Sequence, residues 1–171
     1  MGKLYLVLLM MSPATYAEVT EVSEMGFVSE HTVVLAADPL SAYRALTSRV
    51  HEWWDATHSF SGDATNFTLD ARAGGCFCEM LDNGGSVQHM QVVFASPGKR
   101  LRMSGGLGPL QAMGVAGSMS FDLEPDESGG TTLRYRYEVG GFTAGGLKGL
   151  AGAVDQVQLG QLKRLQEFLA Q

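Results

Sequence analysis

The chain has 171 residues, 45% of them hydrophobic, with two cysteines and a formal net charge of −6. That length and apolar content suit one domain with a sizeable core, and the absence of an internal repeat argues against a solenoid. An acidic chain with no basic cluster repels phosphate backbones and anionic lipid, so nucleic acid is excluded as an expected partner.

Lys3, the apolar run from Leu4 to Met11 and the small-residue ending Thr15-Tyr16-Ala17 read as a secretory leader over residues 1–17. The competing reading is an N-terminal strand through Leu4 to Leu9. Cleavage before Glu18 would leave residues 18–171 as a single domain and, by removing Lys3, make it one charge more negative. The apolar run is far shorter than the roughly 20 residues that span a bilayer, so the expectation is a periplasmic or secreted protein without stable membrane insertion.

Phe27 to Ala37 is rich in β-branched residues and predicts a first strand. Asp38-Pro39 ends it and supplies a cap and a first helical residue for a short helix over Leu40 to Leu46. Ser48 to Trp54 predicts another turn or two, and Ser61-Gly62-Asp63 breaks the pattern. An antiparallel meander is expected from Asn66 to Val139: Phe67 and Leu69 alternate with polar neighbours, and Cys76–Leu81 and Val87–Ala95 flank the hairpin signal Asp82-Asn83-Gly84-Gly85. Arg100 to Ser104, the alternating Met119, Phe121 and Leu123, and Leu133 to Val139 supply the later strands. Leu147, Leu150, Val154, Val157, Gln161, Leu162, Leu165 and Leu169 then fall at helical spacing and mark the apolar stripe of a helix of about 20 residues. A strand, two short helices, a curved sheet and a long closing helix make an α+β architecture.

This order resembles the helix-grip fold of the SRPBCC superfamily, which includes START lipid-transfer domains and birch-pollen-allergen-like proteins. The closest likeness is to its bacterial polyketide-cyclase-like members. The residues that carry it are Trp53-Trp54 with His58 and Ser61-Gly62; Asp70-Ala71-Arg72-Ala73-Gly74-Gly75-Cys76-Phe77-Cys78-Glu79; Val87-Gln88-His89-Met90; Gly105-Gly106-Leu107-Gly108-Pro109-Leu110; and Val139-Gly140-Gly141. The resemblance spans about Phe27 to Phe168 and is specific for fold rather than activity. It implies a cavity between the curved sheet and the long helix that takes a small hydrophobic or amphipathic molecule, with no cofactor required. The chain's nine methionines suit an adaptable lining, though they serve equally as core filler.

The expected ligand-binding set is Trp53, Trp54, His58, Phe77, His89, Met103, Leu107, Leu110, Phe121, Tyr135 and Tyr137, deliberately broad because strand alternation turns some of these outward. The apolar, glycine-rich stretch Gly105 to Gly114 is a candidate flap over the cavity mouth. A two-residue turn at Asn83-Gly84 would set Cys78 opposite His89 and Cys76 opposite Gln91, with Glu79 facing Gln88. The cysteines then have three readings. The leading one is a pair of buried thiols. A disulfide suits an oxidising compartment, but residues two apart in a flat strand lie about 6.5 to 7 Å apart, at the edge of what a bridge spans. A soft-metal site of Cys76, Cys78 and His89, completed by His58, lacks a zinc-type spacing.

The candidate acid/base residues are His58, His89 and Glu79, with Glu79 alternatively paired to Arg72, Arg100 or Arg102 at the sheet surface, and His31 and His51 expected to be exposed. No triad or carboxylate pair is recognisable. The leading functional expectation is therefore an exported small-molecule binder. The alternative is a polyketide-cyclase-like or lyase-like enzyme with His58 or His89 as its acid/base. A heat-shock-chaperone ATPase activator ranks last, because export would separate it from ATP.

Overall fold

The computed structural model describes residues 17–171, so the expected leader lies outside the described residues apart from Ala17. The first strand, β1 (Ala17–Ser23), was not expected from the sequence pattern, whose mixed polarity gives little strand signal. It pairs antiparallel with β2 (Gly26–Leu35), where Ser29, His31, Val33 and Leu35 point inward at alternate positions. Asp38 ends the strand segment. Its carboxylate accepts hydrogen bonds from the Leu40 and Ser41 backbone N–H groups, and Pro39 occupies the first helical position of α1 (Pro39–Ser48). A single turn, α2 (Val50–Trp53), follows.

The meander comprises β3 (Phe67–Leu69), β4 (Cys76–Met80), β5 (Ser86–Ser96), β6 (Arg100–Gly105), β7 (Val115–Pro125) and β8 (Thr131–Gly141). All neighbours are antiparallel, in the order β1-β2-β8-β7-β6-β5-β4-β3. The eight-stranded sheet curves around α3 (Lys148–Leu169), the helix-grip arrangement expected. Its concave face and the helix enclose a core that includes Leu35, Val92, Leu101, Leu133, Tyr137 and Leu165, each fully buried. Trp53 is sealed into this core beside α1, its indole N–H donating to the Ala45 carbonyl at 3.0 Å.

The buried face of α3 differs from the expected apolar stripe. It carries Asp155, Gln158 and Gln161 between Ala151 and Leu162, whereas Leu150, Val154 and Val157 are only partly covered. The polar groups are inside because each has a specific partner. Asp155 Oδ1 accepts from Ser29 Oγ at 2.6 Å and lies 2.9 Å from His31 Nε2; Gln158 Oε1 accepts from the Tyr135 hydroxyl at 3.0 Å; Gln161 Oε1 accepts from the Asp55 backbone N–H at 2.9 Å. His31, expected at the surface, is thus buried against the helix and stacks on Tyr135. A polar side chain can occupy an inward strand position at low cost when its partner is buried with it.

Candidate functional site

The β4–β5 hairpin builds the site through two departures from ideal pairing. The turn is one residue longer than predicted: Leu81 N–H bonds to the Gly85 carbonyl, and Gly84 takes the left-handed φ of +80°. Glu79 therefore pairs with Val87 and Cys78 with Gln88, one position off the expected register. A β-bulge then inserts His89 as an extra residue, which restores the expected pairing of Cys76 with Gln91. Because of the bulge, His89 and Met90 both point into the protein, although they are adjacent in sequence. Gly105 on β6 makes room for it, since a Cβ there would lie 2.8 Å from the His89 carbonyl oxygen.

This geometry corrects the expected neighbours. Cys78 and His89 are not cross-strand partners but lie on opposite faces of the sheet. Cys76 and Cys78 are half-buried on the outer face and joined by a disulfide, so they are not the buried thiols that led the sequence reading. Their Cα atoms are 5.4 Å apart, closer than in a flat strand, so β4 bends where the register shifts. Cys76, Cys78 and His89 consequently do not converge on a point where a metal would sit, and His58 is remote from the cysteine face.

Glu79 is the polar centre that replaces them. It is completely buried instead of pairing at the surface, where Arg72 bonds to Asp70 and Arg100 to Asp122. Its carboxylate accepts from Phe60 N–H at 3.1 Å, from Ser61 N–H at 2.5 Å and from His89 Nε2 at 3.0 Å. Burial pushes the Glu79 carboxyl up, but the hydrogen bonds from Ser61, Phe60 and His89 outweigh it and hold it below the usual range. Burial lowers His89 in turn, against the raising influence of Glu79. The imidazole sits among Phe67, Phe77 and Phe60, with ring centroids at 5.0, 5.3 and 5.9 Å.

Both groups are thus depressed in the folded state, and both make the unfolded chain the better proton acceptor. Stability should fall as the pH drops below about 6.5, where His89 protonates in the unfolded chain, and fall further below about 4.5 through Glu79. Chemical denaturation across this range checks it: in His89→Gln the first part of the decline should disappear while the second persists.

His89 forms part of the wall of a cavity of about 450 Å³ that opens beside α3. The helix contributes Leu150, Ala153, Val154, Val157 and Gln158; the loop after α2 contributes Trp54, Thr57, His58, Ser59 and Phe60; and the β6–β7 connection contributes Leu107, Gly108 and Pro109. This segment, the candidate flap, is tied at both ends. Leu107 N–H donates to the Tyr137 hydroxyl, which donates to the Gly105 carbonyl, while the Gln111 amide donates to the Gln88 carbonyl. Burial raises the Tyr137 hydroxyl to about 12, so it stays a donor. Opposite, Asp55 and Trp53 are bonded to Gln161 and Arg164 of α3, which fixes the other wall.

Of the eleven expected ligand-binding residues, Trp54, His58, His89 and Leu107 line this cavity. Trp53, Phe77, Met103, Phe121 and Tyr135 instead surround a gap of about 30 Å³ in the core, room for about two waters at most. Leu110 and Tyr137 line neither. His58 is exposed at the rim, and its backbone carbonyl accepts the Trp54 indole N–H at 3.1 Å. Sequence reasoning missed Phe60 and the α3 residues Leu150, Ala153, Val154 and Val157. The available signal was the apolar stripe itself, which is wider than the sheet can cover.

No family model matches the chain, and no curated protein matches it. Solved structures share its fold. An uncharacterized protein from Rhizobium leguminosarum is 19% identical and superposes with a TM-score of 0.64, over 92% of this chain and 98% of its own. CalU16 from Micromonospora echinospora is 16% identical with a TM-score of 0.56, covering 91% of this chain and 83% of its own. DynU16, encoded in the dynemicin biosynthetic locus, is 18% identical with a TM-score of 0.58, over 84% of this chain and 47% of its own. At these identities the likeness establishes the helix-grip fold.

Proposed function

We propose that this helix-grip chain belongs with the SRPBCC proteins and binds a small hydrophobic or amphipathic molecule in the cavity beside α3. The observation that carries the reading is the cavity's form: an opening of about 450 Å³ with apolar walls from Trp54, Phe60, Leu107, Leu150, Val154 and Val157, and one buried polar pair, Glu79–His89, at its inner wall. That is the composition of a small-molecule site, in which apolar surface supplies affinity and a few placed polar groups set orientation. The lining also holds Thr57, His58, Ser59 and Gln158, but among the described residues it forms no triad or carboxylate pair, and this favours a binder over a cyclase-like or lyase-like enzyme. The place of DynU16 in a biosynthetic locus supports a natural-product ligand by fold analogy alone. The Cys76–Cys78 disulfide supports export to an oxidising compartment.

The neutral fluorophore N-phenylnaphthylamine tests the reading. Its emission should rise saturably on titration with the protein, with micromolar affinity, and Val154→Trp, which fills the cavity from the helix side, should weaken uptake about tenfold or more. Absence of saturable uptake, or uptake unchanged in a folded Val154→Trp protein, would contradict it.

A further inference from the structure

The protonation pattern around His89 restricts what the cavity can hold. Both Glu79 oxygens accept hydrogen bonds from backbone N–H groups, Oε2 from Phe60 and Oε1 from Ser61, so the carboxyl serves as an acceptor and His89 Nε2 must carry the hydrogen between them. In a neutral imidazole the remaining nitrogen is then a bare acceptor. His89 Nδ1 has no hydrogen-bond partner among the described residues and, unlike Nδ1 of His31, is not sealed from solvent. His89 is part of the cavity lining. Glu79 thus acts as a positioning residue that fixes the tautomer by which His89 meets the ligand.

Charge strengthens the restriction. The Glu79–His89 pair carries one net negative charge in a water-poor wall, and among the described residues that line the cavity there is no lysine or arginine. A carboxylate placed against His89 would set an acceptor against an acceptor, with a like charge behind it and no lysine or arginine in the lining to offset its lost hydration; the other polar lining residues are Thr57, His58, Ser59 and Gln158. A neutral hydroxyl or N–H satisfies the lone pair instead.

Resting on the binding reading above, we infer that His89 Nδ1 is the specificity determinant of the cavity. It selects neutral hydrophobic molecules that present an O–H or N–H donor, and discriminates against fatty-acid-like carboxylates. The ligand donates to Nδ1 while its apolar body lies along Val154, Val157 and Leu107.

Three probes with the same ring system decide it: naphthol, its methyl ether and the corresponding naphthoate, titrated into the wild-type protein. Naphthol should bind about five- to tenfold more tightly than the ether, the difference expected for one hydrogen bond, and more than about tenfold more tightly than naphthoate. Long-range ¹⁵N–¹H spectra of histidine-labelled protein should show His89 with a bare Nδ1 whose resonance moves on adding naphthol and stays in place with the ether. Equal binding of naphthol and ether, tighter binding of naphthoate, or a protonated Nδ1 would overturn the inference and leave the binding reading standing. Failure of all three probes to bind would overturn both.

Discussion

Asp155→Ala is expected to destabilise the fold by about 3–5 kcal/mol, the cost of losing two buried hydrogen bonds to one carboxyl group. Asp155 is the point at which α3 is fastened to β2: one carboxylate oxygen receives the Ser29 hydroxyl at 2.6 Å and stands 2.9 Å from His31 Nε2, and all three side chains are buried. Alanine leaves the Ser29 hydroxyl and His31 Nε2, 3.2 Å apart, with only each other as partners in a place that water cannot reach. For a domain of this size the loss corresponds to a melting temperature lower by about 10 °C. Asp155→Asn, which retains an oxygen for Ser29, should cost clearly less. Calorimetry of the two variants checks the expectation, and a loss under about 1 kcal/mol in Asp155→Ala would show that the helix is held by its apolar contacts alone.

The second large effect is expected at Glu79. Its replacement by alanine removes the acceptor of the part-buried Phe60 and Ser61 N–H groups and of the buried His89 Nε2 at once, and a similar cost of about 3–5 kcal/mol follows from losing these three hydrogen bonds to one carboxylate. The consequence for the cavity differs from that at Asp155. Phe60 and Ser59 line the cavity on the loop that Glu79 holds, so this wall should loosen while α3 remains in place. Amide exchange of Phe60 and Ser61 should accelerate selectively, and N-phenylnaphthylamine should bind more weakly in Glu79→Ala than in Asp155→Asn. Unchanged exchange at those two amides would remove Glu79 from its assigned role.

The fold was largely legible in the sequence because its strands and last helix carry strong periodicity. Asp38-Pro39 announced α1, Asn83-Gly84 announced the hairpin, and the alternation of Met119, Phe121 and Leu123 announced β7. What escaped was polar residues at inward positions. Alternation places Ser29 and His31 on the face of Phe27, Val33 and Leu35, but their polarity argues for solvent, and only the tertiary pairing of β2 with α3 reveals that they and Asp155 satisfy one another. Their burial rotates the helix so that Leu150, Val154 and Val157 are left partly uncovered and become the cavity wall.

The site was legible in its parts and not in its arrangement. Glu79 and His89 were named as candidates, but the expected turn length placed His89 opposite Cys78. A turn one residue longer and a compensating bulge change which residues share a face, and the hairpin signal alone does not distinguish the two registers. The glycine-rich stretch from Gly105 to Gly114 stood out by its apolar composition, whereas its anchoring by Tyr137 and Gln111 depends on contacts across strands that sequence spacing does not encode.

The proposed function places the small molecule in the cavity beside α3. Methyl-resolved ¹³C–¹H spectra recorded during a naphthol titration test this most directly. Resonances of Leu107, Leu150, Val154 and Val157 should move together along one saturating curve while those of Leu35 and Leu133, deep in the core, stay fixed. Shifts confined to other surfaces, or no saturable shift at millimolar probe, would contradict it.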